Sequence, residues 1–287
     1  MESSIAENIV LFDWLSFTSK KHSPDQIIDA LGLSGVPFVE SKGARGYRSK
    51  KYFSSINIHY DGREDMGVWC ELSGQGCRTL ETLSTRFQAG GEGWIGLFKW
   101  IKENGCKMTR LDVAYDDHTG ILPMQKIAEH TRKLELVSKS DYAEAVWSTK
   151  GESVFIGHPT SAVRIRIYDK AAERHIPDVH WIRCELQLRD DRAQAFTELV
   201  EPIGEAFAGV VHNYLRYVVP QKDDSNRWRW PMKRYWRCFH RGSEEDQHLS
   251  SSGHGVQHGE VGTVHFRSRR AVIVHVSCHS YRPGVPG

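Results

Sequence analysis

The stretch Val163–Lys170, VRIRIYDK, alternates strictly: Val163, Ile165 and Ile167 fall on one side, and Arg164, Arg166, Tyr168 and Lys170 on the other. A period of two belongs to a half-buried strand, with one face on a core and the other meeting solvent or ligand. Three cations around one phenol suit a bound phosphate chain. The same row also reads as an edge strand whose Arg and Lys deter unwanted pairing.

Two further stretches repeat the design. Arg110–Asp116, RLDVAYD, sets Leu111, Val113 and Tyr115 against Arg110, Asp112, Ala114 and Asp116. Ile182–Arg189, IRCELQLR, sets Ile182, Cys184, Leu186 and Leu188 against Arg183, Glu185, Gln187 and Arg189. As neighbours in one sheet, these strands would bring Asp112, Asp116 and Glu185 to Tyr168. Clustered carboxylate oxygens are the ligands that Mg²⁺ or Mn²⁺ prefers. Gly67–Ser73, GVWCELS, adds Glu71 on a similar face. The expected fold class is α+β: an antiparallel sheet with helices packed on one face, the opposite face open as the DNA and metal site.

At 287 residues and 39% hydrophobic composition, the chain can bury a full core. A formal net charge of +2 is too mild to identify a nucleic-acid partner, so charge placement carries that argument. The six cysteines form no CxxC pair, which points away from a zinc site or a disulfide framework. Neither a signal-peptide layout nor a bilayer-length apolar run is present, so a cytoplasmic protein without a membrane partner is expected.

In chain order, Ile9–Thr18 reads as a first strand holding Asp13, which is either a site carboxylate or a strand-end turn residue. A short helix starts at Ser23-Pro24-Asp25 and runs through Ala30. Lys42–Lys51, with Arg45, Arg48, Lys50, Lys51 and Tyr47, reads either as a grip on a sugar-phosphate backbone or as a solvated hairpin loop. Tyr52–Tyr60 is expected to be one strand, paired with Gly67–Ser73 across Asp61-Gly62. SGQGCR at 73–78 lacks both the ATP-loop ending and the three-glycine dinucleotide pattern, so no nucleotide cofactor is expected. His59 reads as structural. Gly93–Asn104 predicts a helix with Ile95, Phe98 and Ile101 on its apolar stripe, beside Trp94 and Leu97. Further helices are predicted over Pro123–Lys133 and from Asp190 or Asp191, the latter burying Ala193, Phe196, Leu199 and Val200. Ser153–Ile156 forms a hairpin with the central stretch, and a helical turn with Glu173 follows it. Arg227–Trp236, RWRWPMKRYW, reads either as a base-stacking segment or as a lid on the core. Tyr214 and Tyr217 read as core. Residues 1–241 are expected to form one functional domain, and 242–287 a biased tail with no assigned function.

The order of five strings carries a resemblance: DWLSFT, ELSGQGCRTLE, TRLDVAYDD, the stretch from FIGHPTS to RIYDKAAER, and WIRCELQLRDDRA. Together, over roughly residues 9–236, they resemble the replication initiation factor family, the rolling-circle initiators of plasmids and filamentous phages with related conjugative relaxases. The resemblance implies an enzyme that nicks one origin strand with a tyrosine, stays on the 5′ end, and leaves a 3′ hydroxyl for a polymerase. It places the tyrosine of an RxYxK string on Tyr168 and the metal carboxylates on Asp112 and Glu185, with Asp116 a further ligand. The chain lacks the His-hydrophobe-His string of the wider class of tyrosine nickases, which favours carboxylate ligation. Expected partners are origin DNA, a host helicase and polymerase, and a second copy in a homodimer.

Elementary chemistry asks for the same parts. Phosphodiester exchange needs an in-line oxygen nucleophile, a Lewis acid and positive charge for the transition state. A phenol is mostly protonated at neutral pH, so Lys170 and Arg166, one pleat to either side, are expected to favour the phenolate. Arg164, Arg183, Arg189 and Arg110, with the basic loop, are the expected DNA contacts. Two rivals remain: a non-enzymatic DNA-binding regulator of the same fold, and a metal nuclease that uses water.

Overall fold

Alternation at Val163–Asp169 becomes a strand third from one edge of a broad sheet, with Lys170 opening a helix, in the computed structural model, which describes residues 8–176, 178–199 and 202–239 and the backbone of Val272–Val274. The first half contains β1 (Asn8–Ser19), α1 (Pro24–Ala30), β2 (Val39–Lys42), β3 (Ser49–Phe53), β4 (Ile56–Tyr60), β5 (Val68–Ser73), α2 (Gly74–Leu83) and α3 (Gly93–Glu103). Next come β6 (Lys107–Asp117), α4 (Met124–Arg132), β7 (Leu136–Ser138), β8 (Ala143–Ser148), β9 (Gly151–Ile156), β10 (Val163–Asp169) and α5 (Lys170–Glu173). The chain continues through β11 (Ile182–Arg189), α6 (Asp190–Thr197), α7 (Ile203–Tyr214) and β12 (Leu215–Tyr217) to a helical stretch at 234–239.

The sheet order is β2-β3-β4-β5-β1-β6-β11-β10-β9-β8, with every pairing antiparallel. The three alternating stretches are therefore direct neighbours, as β6, β11 and β10. Their register aligns Val113 with Leu186 and Leu186 with Ile165, one row of an apolar face. One residue along, Asp112 pairs with Gln187 and Gln187 with Arg164, on the opposite face. Because side chains alternate, this register sends Leu111, Val113, Tyr115, Ile165, Ile167, Cys184, Leu186 and Leu188 to one side.

That side is the core. Leu15, Phe17, Leu111, Val113, Ile165, Ile167, Leu186 and Leu188 form one buried cluster with Ile27, Leu80, Leu97, Phe98, Ile127, Ala193, Phe196, Phe207 and Val211 of the helices. Burying a Leu, Ile or Phe side chain stabilises by about 1.5–3 kcal/mol. The sheet and its helices thus hold together through one face, which leaves the other to polar residues.

Several expectations change. Tyr52–Tyr60 is two strands, β3 and β4, joined at Ser54-Ser55, where Ser54 adopts φ 51° and reverses the chain. Ile95 lies 80% exposed because Trp94, Leu97, Phe98 and Ile101 already define the stripe at i, i+3, i+4 and i+7. α6 stops at Thr197, so Leu199 is left exposed, and Val200 lies outside the described residues. Tyr217 is core as expected, in the short strand β12. The 242–287 tail also lies outside the described residues, except that β13 (Val272–Val274) pairs with Asn8–Val10 of β1.

Candidate active site on the polar sheet face

Tyr168 stands opposite Arg183 on β11 and Ser153 on β9, on the polar face. Its hydroxyl donates to Glu185 Oε2 at 3.4 Å and accepts from Lys170 Nζ at 3.4 Å. The Arg166 guanidinium lies 3.8 Å from the centre of its ring. Sequence alternation placed these four groups on one face, and the register brings them into contact.

The protonation state differs from expectation. Tyr168 is only 2% exposed. Burial pushes its phenol well above the ordinary tyrosine range, and Glu185 adds to the effect, against the opposing charges of Arg183 and Arg166. Flanking cations therefore do not yield a phenolate here, because low-dielectric surroundings and two acids outweigh them.

Each acid has its own partner. Arg110 donates to both Asp112 oxygens, from Nε at 2.9 Å and Nη2 at 2.5 Å. Arg183 donates to both Asp116 oxygens, from Nε at 2.6 Å and Nη2 at 2.7 Å, and its Nη1 lies 2.8 Å from Asp13 Oδ2. One expectation is corrected by this geometry: Arg183 is buried between two carboxylates rather than offered to DNA. Asp112 and Asp116 are alike, each held through both oxygens by an arginine.

Asp13, which the sequence reads as either a site carboxylate or a strand-end turn residue, joins this face through an irregularity of β1. The β1–β6 register skips it, pairing Phe12 with Val113 and then Trp14 with Asp112. A bulge of this kind turns one side chain out of the alternation and is common beside functional sites. A Cβ at Gly74 would lie 2.4 Å from Asp13 Oδ1, so glycine there lets the carboxylate reach the polar face. The available signal was an acid inside the apolar run IVLFDWLSFT; the register slip itself leaves no trace in composition.

Asp13, Asp112 and Glu185 act on one another electrically. Burial raises the Asp112 carboxyl despite Arg110, with Asp13 adding to the rise. Glu185 is pushed up to about 7 by burial, then by Asp112 and Asp13, against Arg166 and Arg183. Such surplus negative charge among hard oxygens fits a divalent cation in donor chemistry. Among the described residues, no set of three or more His, Cys, Asp or Glu side chains is arranged around a common ion position.

The sign of the resulting pH dependence follows from that shift. An unfolded glutamate titrates near 4.3, so between about pH 4.5 and 7 the metal-free folded state holds the extra proton. Stability contributed at Glu185 is therefore expected to fall as pH rises through that window. Thermal melts of the metal-free protein between pH 5 and 8 check this, and Glu185→Gln should flatten the trend.

The remaining expected DNA contacts sort by face. Arg164 lies over Phe155 at 4.5 Å, Arg110 over Trp14 at 4.3 Å, Arg45 over Trp69 at 5.0 Å and Lys50 over Tyr52 at 4.9 Å. Tyr47, His59 and Trp69 stack together beneath Arg45. Arg48 donates to the Asp61 carbonyl, and Arg189 to the Pro159 carbonyl and Gln187. Lys51 is corrected: it pairs with Ile58 of the core side, and its ammonium bonds Asp25 of α1 at 2.6 Å. The aromatic partners Phe155, Trp14 and Trp69 were not singled out from sequence, because only the cross-strand register puts them under the cations. In Arg227–Trp236, Trp236 is fully buried and Arg227 donates to the Leu136 carbonyl, so much of this segment packs on the core; Trp228 stays exposed.

Comparisons with known proteins agree with this architecture. Residues 106–254 match the family model described as Replication initiation factor, and residues 9–100 match that of the Rolling Circle replication initiation protein N-terminal domain. Over 251 residues the chain is 26% identical to a Bacillus subtilis (strain 168) protein named "Putative DNA relaxase NicK", covering 80% of this chain and 70% of that protein. A rolling-circle replication initiator protein structure from Geobacillus stearothermophilus superposes with a TM-score of 0.74 at 29% identity, covering 83% of this chain and 97% of the other.

Proposed function

Because the chain belongs to the replication initiation factor family, we propose that it is a rolling-circle initiator that nicks and rejoins one strand of origin DNA through a covalent 5′-phosphotyrosine. The observation that carries this reading is the Tyr168 hydroxyl, set 3.4 Å from both Lys170 Nζ and Glu185 Oε2 on a face lined with arginine–aromatic pairs.

In the proposed reaction the Tyr168 oxygen bonds to phosphorus as the bond from phosphorus to the 3′ oxygen breaks. The phenolic proton leaves along the hydrogen bond to Glu185 Oε2. The departing 3′ oxygen takes up a proton and becomes the primer hydroxyl. Lys170 and Arg166 neutralise the developing charge. Asp112 and Glu185 would hold Mg²⁺ or Mn²⁺, which when bound would supply Lewis-acid polarisation of the phosphate. Resealing runs the same steps backwards, since a phosphotyrosine ester retains the energy of the broken bond.

Residues 1–241 are proposed as the nicking and joining unit, with 242–287 as a tail. Origin DNA is the proposed substrate, with a host helicase and polymerase and a homodimer as further partners. No helix among the described residues is long and apolar enough to cross a membrane.

The test is incubation with Mg²⁺ or Mn²⁺ and labelled origin DNA, single-stranded or supercoiled. A denaturation-resistant adduct on one strand is the expected product. Cutting without an adduct would favour the water-using nuclease, and binding without cutting the regulator. Asp112→Ala and Glu185→Ala are each expected to slow adduct formation on the order of 10²-fold. Full activity in either variant, read by the same gel, would remove it from the ligand set.

A further inference from the structure

The cations assigned to the scissile phosphate are already engaged. Lys170 Nζ bonds Glu173 Oε2, and Arg166 Nη2 lies 3.7 Å from Glu173 Oε1. One carboxylate thus bridges both cations, offering each an oxygen much as a phosphate would. Glu173 reaches them because α5 begins directly at Lys170, capped by the Asp169 side chain on the Ala172 amide, which places the carboxylate three residues on and back over the strand end. Lys170 is buried, and the Arg166 guanidinium lies over the Tyr168 ring at 3.8 Å from its centre. These contacts leave the phenol almost wholly covered, so an incoming phosphate must displace something before in-line attack.

We infer that Glu173 is an internal phosphate mimic, a latch that holds Arg166 and Lys170 over Tyr168 until a DNA phosphate replaces it. The inference rests on the proposed reading of Arg166 and Lys170 as phosphate contacts. Glu173 acts through those two residues and is a positioning residue, not a catalytic one. A strand that must first expel the carboxylate binds with an apparent affinity lowered by the fraction of molecules whose cations are free. Removing the latch therefore tightens binding, an effect that a damaged fold would not produce.

The experiment measures equilibrium binding of fluorescent single-stranded origin oligonucleotide by anisotropy, at low salt, with Tyr168→Phe in every protein so that no covalent product forms. Glu173→Gln should bind roughly three- to tenfold tighter than its parent. Glu173→Asp, which keeps the charge but is one methylene shorter, should also bind tighter, because it cannot bridge both cations. Glu103→Gln, which makes the same charge change on an exposed position of the helical side, should bind as the parent does. Parent-like or weaker binding by Glu173→Gln overturns the latch, and so does parent-like binding by Glu173→Asp. Since binding is read without the nucleophile, failure to form an adduct elsewhere leaves this result intact. If no protein in the set binds the oligonucleotide, the DNA reading falls and the latch with it.

Discussion

Tyr168→Phe is expected to abolish the covalent DNA adduct while leaving binding of origin DNA within about twofold. Phenylalanine keeps the ring that Arg166 covers at 3.8 Å and removes only the oxygen between Lys170 and Glu185. The loss should be complete within detection, because among the described residues the other tyrosines lack this setting. Tyr217 is fully buried with its hydroxyl on Thr131, and Tyr214 donates to the Val163 carbonyl. Denaturing gels of labelled DNA after incubation with Mg²⁺ or Mn²⁺ read the adduct, and anisotropy reads the binding. A surviving adduct would move the nucleophile elsewhere; loss of binding along with the adduct would make Tyr168 a contact for DNA rather than the attacking group.

Why the sheet was legible in the sequence and part of the site was not follows from what alternation encodes. A period of two fixes which side chains share a face, and VRIRIYDK, RLDVAYD and IRCELQLR each state it openly, so three adjacent strands and the grouping of Tyr168, Asp112 and Glu185 could be read. Alternation does not say which residue lies across the ladder. Arg183 pairing with Asp116, Arg164 lying on Phe155 and Arg45 lying on Trp69 are cross-strand events set by register and by hairpin geometry. It fails outright at a bulge, where Asp13 leaves the period and enters the site. It also gives no measure of burial, so Lys170 and Arg166 appeared able to ionise the phenol, when desolvation decides its protonation instead. Lys51 shows the same limit from the other direction: grouped with its basic neighbours by sequence distance, it sits one pleat away from Lys50 and faces a helix.

Arg183→Met should be the most destabilising single change on the polar face. The guanidinium is buried, satisfies both oxygens of Asp116 and reaches Asp13. Burial works against its charge, yet Asp116 and Asp13 outweigh that and hold it firmly protonated. Methionine fills much of the volume but leaves Asp116 buried and unpaired, a loss of about 3–5 kcal/mol for breaking one side of a buried ion pair. At roughly 2–4 °C per kcal/mol for a chain of this size, a fall in melting temperature of about 10 °C is expected. Asp116→Asn added to Arg183→Met should recover a large part of it, because removing both partners leaves no stranded charge. Thermal melts of the two single variants and the double variant complete the cycle. A drop of less than about 1 kcal/mol for Arg183→Met would show the pair to be as weak as a surface contact. Recovery of stability without recovery of adduct formation would separate the two jobs of this arginine: neutralising Asp116, which asparagine makes unnecessary, and anchoring the bulged Asp13 at 2.8 Å beside the acids that face Tyr168, which it does not.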